Sequence, residues 1–180
     1  MNRVVSPEAA REILVALGAP RRLMTHGRLV LEAADELLRA MRTLGVDVDE
    51  RLVRAGAMLH DAGKILHPNE LTNPGKNHEE AGEAMLLAQD VDPVVARCCV
   101  THAQWASFDC SLEELLVALA DALWKGIRRD PIERRVVDEV ARRLRGDAWE
   151  SFVVLDECFE RIAEAGPERL ERSVRADADA

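Results

Sequence analysis

Four of the five histidines and two aspartates in this chain stand where they can act together. In chain order they are His26, the doublet His60-Asp61, His78, His102 and Asp121. Imidazole and carboxylate in combination suit first-row divalent ions, Fe or Mn foremost and Zn among the others. A neutral imidazole offers a nitrogen lone pair near pH 7. An Asp has two oxygens and can bridge two ions. Two ions close together share a water, lower its pKa and clamp phosphoryl oxygens. Taken singly, most of these residues have ordinary explanations. His26 reads as a hydrogen-bonded core residue, His78 as a first-turn surface residue, and His102 as a cation favoured near a helix C-terminus. Asp121 is harder to dismiss, because Leu119-Ala120-Asp121-Ala122-Leu123 places a carboxylate inside an apolar helical run, where it needs a partner.

The elements that position these residues read as helices throughout. Ser6-Pro7-Glu8 is a cap followed by Pro at the first helical position. After Pro20, apolar residues recur at steps of three and four from Leu23 to Met41, and Gly45 ends the run. Asp49 caps a helix that leads into His60-Asp61. From Ala62 to Asn77, Gly, Pro and Asn crowd into a long loop, and long loops in compact domains are often functional. Asn77, Asp92-Pro93, the capping box Ser111-Leu112-Glu113-Glu114, Asp130-Pro131 and Asp147 each open a further helix. No convincing strand or repeat appears. The expectation is an all-α, single-domain helical bundle of about eight helices, with ligands converging from several of them. The domain is placed at residues 1–172, with a ligand-bearing core of about 23–129, C-terminal helices over 131–165 and a disordered polar tail over 173–180.

Composition narrows the classes. In 180 residues, 48% are apolar and 32% charged, a globular balance. The net charge of −9 argues against nucleic acid and anionic membrane as partners. Aromatics are 3%, which argues against a stacking platform for single strands. The four cysteines show no framework and read as reduced thiols of a cytoplasmic protein. No apolar run approaches the roughly 18 residues of a membrane span, and the N-terminus has no leader-like core.

At His26, His60-Asp61 and Asp121 the sequence resembles the HD-domain superfamily of metal-dependent phosphohydrolases. His78 and His102 match its two-metal subset. That resemblance implies a first ion held by His26, His60, Asp61 and Asp121, and a second held by Asp61, His78 and His102. The stretch Leu59-His60-Asp61-Ala62-Gly63-Lys64-Ile65, with Pro68, Glu70-Leu71, Pro74-Gly75, His78 and Gly82 after it, is similar to the start of the HD-GYP cyclic di-GMP phosphodiesterases. It implies a phosphate contact for Lys64. After His102 the chain reads Ala103-Gln104-Trp105 and lacks the Gly-Tyr-Pro loop, which argues against cyclic di-GMP itself.

The function expected on these grounds is hydrolysis of a nucleotide or other small phosphate ester or anhydride through a metal-bound hydroxide, with Asp61 and Lys64 catalytic. Bound ions add local positive charge that the −9 omits, so a small anionic substrate remains compatible with an acidic chain. Candidate substrate contacts are Lys64, His67, Gln104, Trp105, Lys125 and Arg128. Lys125 and Arg128 follow Asp121 by four and seven residues, positions that share a helical face. Two alternatives stand beside this function. One is a di-iron oxygenase with the same six ligands, and the other a non-catalytic binding or signalling module with a structural metal. A homodimer is compatible with either.

Overall fold

The computed structural model describes residues 6–178, so Met1 to Val5, Asp179 and Ala180, which belong to the expected domain start and tail, lie outside it. The order is α1 (Pro7–Ala16), α2 (Arg21–Leu44), α3 (Glu50–Leu59), α4 (Asn77–Leu87), α5 (Pro93–Ala96), α6 (Cys98–Gln104), α7 (Leu112–Leu123), α8 (Asp130–Leu144), α9 (Ala148–Glu164) and α10 (Gly166–Ala178). Three short 3-10 turns, Ala62–Ile65, Pro68–Leu71 and Trp105–Ser107, fill connections. Eight of the ten α-helices are ten residues or longer, and no strand occurs among the described residues. The all-α expectation holds. No described helix is long and apolar enough to cross a membrane.

Most start signals act as read. Ser6 accepts from the Ala9 N–H at 3.2 Å. Asp49 accepts from Arg51 and Leu52, both at 3.0 Å. Ser111 and Glu114 form a complete capping box. Gly45 closes α2 in the left-handed region at φ 73°. Each contact satisfies a backbone group that a helix end would leave orphaned.

α2 is the central strut. Its buried stripe, including Leu29, Val30, Ala33, Leu37 and Met41, packs with α7, α8 and α9 residues in one core. A second core gathers α1, the end of α3, α4 and α5 around Leu14, Leu59, Leu86 and Val95. α3 contributes to both, and the His-Asp doublet sits at its C-terminal end. The turn after the doublet lies directly on α4. A Cβ on Gly63 would collide with the His78 carbonyl, so only glycine permits that approach.

Two expectations need correction. The stretch from Ala62 to Asn77 is not wholly irregular, since two 3-10 turns occupy part of it. The chain after residue 165 also stays helical to Ala178, where a frayed tail was expected from residue 173. α10 has no strong apolar stripe, with Leu170 and Val174 exposed, so periodicity did not reveal it. Charge docks it instead. Arg169, only 4% exposed, donates to Glu36 Oε1 at 2.6 Å and to the Ile162 carbonyl at 2.7 Å. Arg172 donates to both oxygens of Glu32, at 3.1 and 2.5 Å. Both glutamates lie on α2.

Candidate metal centre

α2 contributes His26, the end of α3 His60 and Asp61, α4 His78, α6 His102 and α7 Asp121. The structure brings all six together. His60 and Asp61 are 0% and 4% exposed.

They gather around the two oxygens of Asp61. His26 Nε2 stands 3.1 Å from Asp61 Oδ2, 3.1 Å from His60 Nε2 and 3.4 Å from Asp121 Oδ1. His60 Nε2 is 3.7 Å from Asp61 Oδ2 and 3.6 Å from Asp121 Oδ1. Donors held about 2.1 Å from one ion stand about 3.0–3.4 Å apart in octahedral or tetrahedral coordination, so this set is close to ion-binding size. The other oxygen, Asp61 Oδ1, faces His78 Nε2 at 3.2 Å and His102 Nε2 at 3.6 Å. The two oxygens of Asp61 thus face different imidazoles, and the His60 ring stands near both His26 and His102.

The imidazoles are prepared as ligands. His60 Nδ1 lies 2.9 Å from the Ala57 carbonyl and His102 Nδ1 lies 3.1 Å from the Cys98 carbonyl. His78 Nδ1 lies 2.6 Å from Glu70 Oε2. A carbonyl or carboxylate acceptor fixes the proton on Nδ1 and turns the Nε2 lone pair inward. His78 Nε2 is buried and makes no hydrogen bond of good geometry, which suits a metal-donor atom. Two overlapping groups, His26-His60-Asp121 and His60-Asp61-His102, are tight enough to hold an ion. The donor set fits divalent metals.

The electrostatics describe charges that need one another. Burial opposes ionisation of Asp61, yet the neighbouring His60, His26 and His78 hold its carboxyl well below the usual range. Burial likewise opposes Asp121, and His60 and His26, with Lys125 further out, hold it low. His60 is pushed down by burial but raised on balance by Asp61 and Asp121. His78 is also raised, because Asp61 and Glu70 outweigh burial. His102 is pushed down to about 4 by burial and the nearby His60, so it stays neutral.

A cleft of about 140 Å³ opens on the first set, lined by Arg22, Leu23, Leu71, Trp124 and Ser173 around His26, Asp61 and Lys64. Lys64 Nζ lies 2.6 Å from Asp61 Oδ2 and borders this cleft. Other expected substrate contacts are placed elsewhere. His67 caps the second 3-10 turn and does not line the cleft. Gln104 donates to buried Glu79, and Trp105 packs on the core while its carbonyl accepts from Arg135. Lys125 is near enough to act on Asp121 but is outside the cleft lining.

Arg128 is a correction. It donates to Glu133 Oε1 and Oε2 at 2.9 and 2.8 Å and to Asp156 at 2.5 Å. Its guanidinium also stands over the Phe159 ring. The helical-face argument fails there because α7 ends at Leu123 and the chain turns through Gly126 at φ 84°.

The sequence reading missed Trp124 and Glu70. Trp124 follows Asp121 by three, packs edge-on against His26 with centroids 5.1 Å apart and keeps an unpartnered indole N–H. The same spacing rule that singled out Lys125 would have found it. Glu70 stood in the stretch that carries the family resemblance, but its role was not legible, because its contact with His78 depends on how the loop folds.

The comparisons with known proteins agree with this geometry. The HD-domain family matches residues 23–124, a segment that contains all six candidate ligands. Ribonuclease Y of Treponema pallidum (strain Nichols) is 29% identical over 171 residues, 94% of this chain and 31% of that protein. Ribonuclease Y of Helicobacter acinonychis (strain Sheeba) is 30% identical over 135 residues, 74% of this chain and 24% of that protein. The chain thus spans between a quarter and a third of the length of these curated relatives. No solved structure is a significant match. With the His-Asp doublet and its partners converging inside a matched segment that covers over half of its length, the chain belongs to the HD-domain family.

Proposed function

We propose that this chain is a metal-dependent phosphohydrolase and that its substrate is a nucleotide or another small phosphate ester or anhydride. The observation that carries the reading is the position of Asp61. Its two oxygens face two separate groups of inward-turned imidazole nitrogens. Divalent ions bound there would supply Lewis acidity to phosphoryl oxygens and make a water nucleophilic near neutral pH.

The chain's own residues do the rest. His26, His60, Asp61 and Asp121 form one holding set, and Asp61, His78 and His102 the other. The anchored Nδ1 atoms keep His60, His78 and His102 from turning away, so the donors need no rearrangement when the substrate arrives. Lys64 now neutralises Asp61 Oδ2 and faces the cleft, so it is placed to turn its ammonium to a phosphoryl oxygen. The cleft, at about 140 Å³, matches a phosphoryl group and part of its substituent better than a whole dinucleotide. Leu23, Leu71 and Trp124 give it apolar walls that limit water.

The likeness to Ribonuclease Y favours a second reading, cleavage of a phosphodiester in RNA. The net charge weighs against long polyanions, but that likeness reopens RNA as a partner. Arg22 and Lys64 on the cleft rim give a strand end a cationic entry.

A panel settles the choice. Protein loaded with Mn²⁺ or Fe²⁺ is assayed for phosphate release from nucleotides and for shortening of a labelled RNA oligonucleotide, in air and without oxygen. Release from nucleotides without oxygen uptake supports the first reading, and RNA shortening the second. Oxygen consumption without either points to oxygenase chemistry and overturns both. Inactivity in every arm leaves a binding module with a structural metal.

A further inference from the structure

The three anchored imidazoles are not anchored alike. His60 and His102 reach carbonyls in their own helices, three and four residues back. Those acceptors exist whenever the helix exists. His78 is the second residue of α4 and has no preceding helical turn to supply one. Its acceptor comes from the loop before it.

Glu70 is that acceptor, and the loop is built around its carboxylate. Oε1 accepts from the Asn77 N–H at 3.2 Å. Oε2 accepts from the His78 N–H at 3.2 Å and stands 2.6 Å from His78 Nδ1. α4 has no side-chain cap at Lys76, so Glu70 does that work from outside the helix. Asn77, read from sequence as the capping position, is instead the first helical residue. Gly75 closes the cradle, because a Cβ there would collide with the Glu70 carboxylate.

The two donor sets also differ in charge. The first holds Asp121 as well as its share of Asp61. The second has only its share of Asp61, plus two neutral imidazoles. The geometry points to Glu70 as the positioning residue of the second ion site: its carboxylate orients His78, raises the donor strength of Nε2 and supplies the negative charge that the second donor set lacks. The inference rests on the two-ion reading above. It makes the affinity of the second ion a property of the loop before α4, and leaves the first ion independent of it.

Metal-free full-length protein is titrated with Mn²⁺ by calorimetry, with helix content and Tm followed by circular dichroism. Wild type takes up two ions in two steps. Glu70→Gln retains an oxygen for His78 but removes the charge, and it weakens the second step by about 10–100-fold while sparing the first. Gly75→Ala keeps the charge and displaces the carboxylate, and it weakens the same step. A second step that survives in both folded variants overturns the proposal alone. Equal weakening of both steps also overturns it, since Glu70 would then act only through the fold. A wild type that takes up one ion overturns the two-ion reading and this inference with it.

Discussion

The ligand-bearing helices and the C-terminal helices both place charge at partly buried positions, and they use it in opposite ways. Around α8 to α10 the key arginines are paired. Arg128 engages Glu133 and Asp156, Arg143 engages Glu113 and the Asp47 carbonyl, and Arg169 engages Glu36 and the Ile162 carbonyl. Between α2, α3, α4, α6 and α7 the imidazole nitrogens and carboxylate oxygens point toward a common volume, and His78 Nε2 faces Asp61 Oδ1 at 3.2 Å without a hydrogen bond of good geometry. A polar group whose partners are complete belongs to the architecture. A convergence of imidazoles and carboxylates on one buried volume marks a site, because gathering such groups has a cost that folding alone does not explain.

Substitutions on either side should separate these two uses of charge. The largest effect is expected at Asp61. Asp61→Ala removes a donor from both sets, so bound metal and hydrolysis are both lost while the far-UV helix signal persists. Retained turnover would break the assignment. Next comes Arg169→Ala on the other side. It leaves Glu36 with only the more distant Arg161 at 3.6 Å, frees the Ile162 carbonyl and lowers unfolding stability by on the order of 3 kcal/mol, with metal content unchanged. Thermal unfolding with parallel elemental analysis checks both halves. Lys64→Ala should reduce turnover about 100-fold, the usual cost of one preorganised charge donor, while ion content stays near wild type. Equal loss of metal would assign Lys64 to holding Asp61 instead.

The pH response sharpens the same contrast. His60 and His78 are raised above their ordinary value in the ion-free protein. Below those raised values each holds a proton that an entering ion must expel. Apparent metal affinity therefore climbs with pH, by up to about tenfold per unit for each proton, and levels off once both are neutral. His102, already neutral above about pH 4, adds nothing there. An affinity that is flat from pH 5 to about 8 would contradict these shifts. The smallest effect is expected at Arg128. Arg128→Ala should cost about 1 kcal/mol of stability, the scale of a partly exposed pair, and leave hydrolysis unchanged.

What could be read from the sequence divides along the same line. The six candidate ligands were legible through the resemblance of the His-Asp doublet and its flanking residues to a known family, and Asp121 also because it lies in a run where a carboxylate is out of place. Arg128 was misplaced because a rule of helical spacing was carried past the end of the helix. α10 was invisible to periodicity, since arginines reaching back to Glu32 and Glu36 anchor it and no apolar face does. Glu70 and Gly75 belong to a loop whose geometry exists only after α4 docks on the turn at Gly63. Local signals carry helices, but a contact made by a loop closing on itself leaves no periodic trace.

The chain order of the ligands bears on how the centre comes into being. The second donor set is complete once α6 has formed, whereas the first waits for Asp121 on α7, and α7 is also the helix on which much of the larger core condenses. Pairings that distant in sequence close late. On a chain growing from its N-terminus, Asp121 is thus the last of the six to arrive, on the helix around which the larger core then assembles. A chain stalled before α7 would carry five of the six candidate ligands without the carboxylate that completes the group around His26.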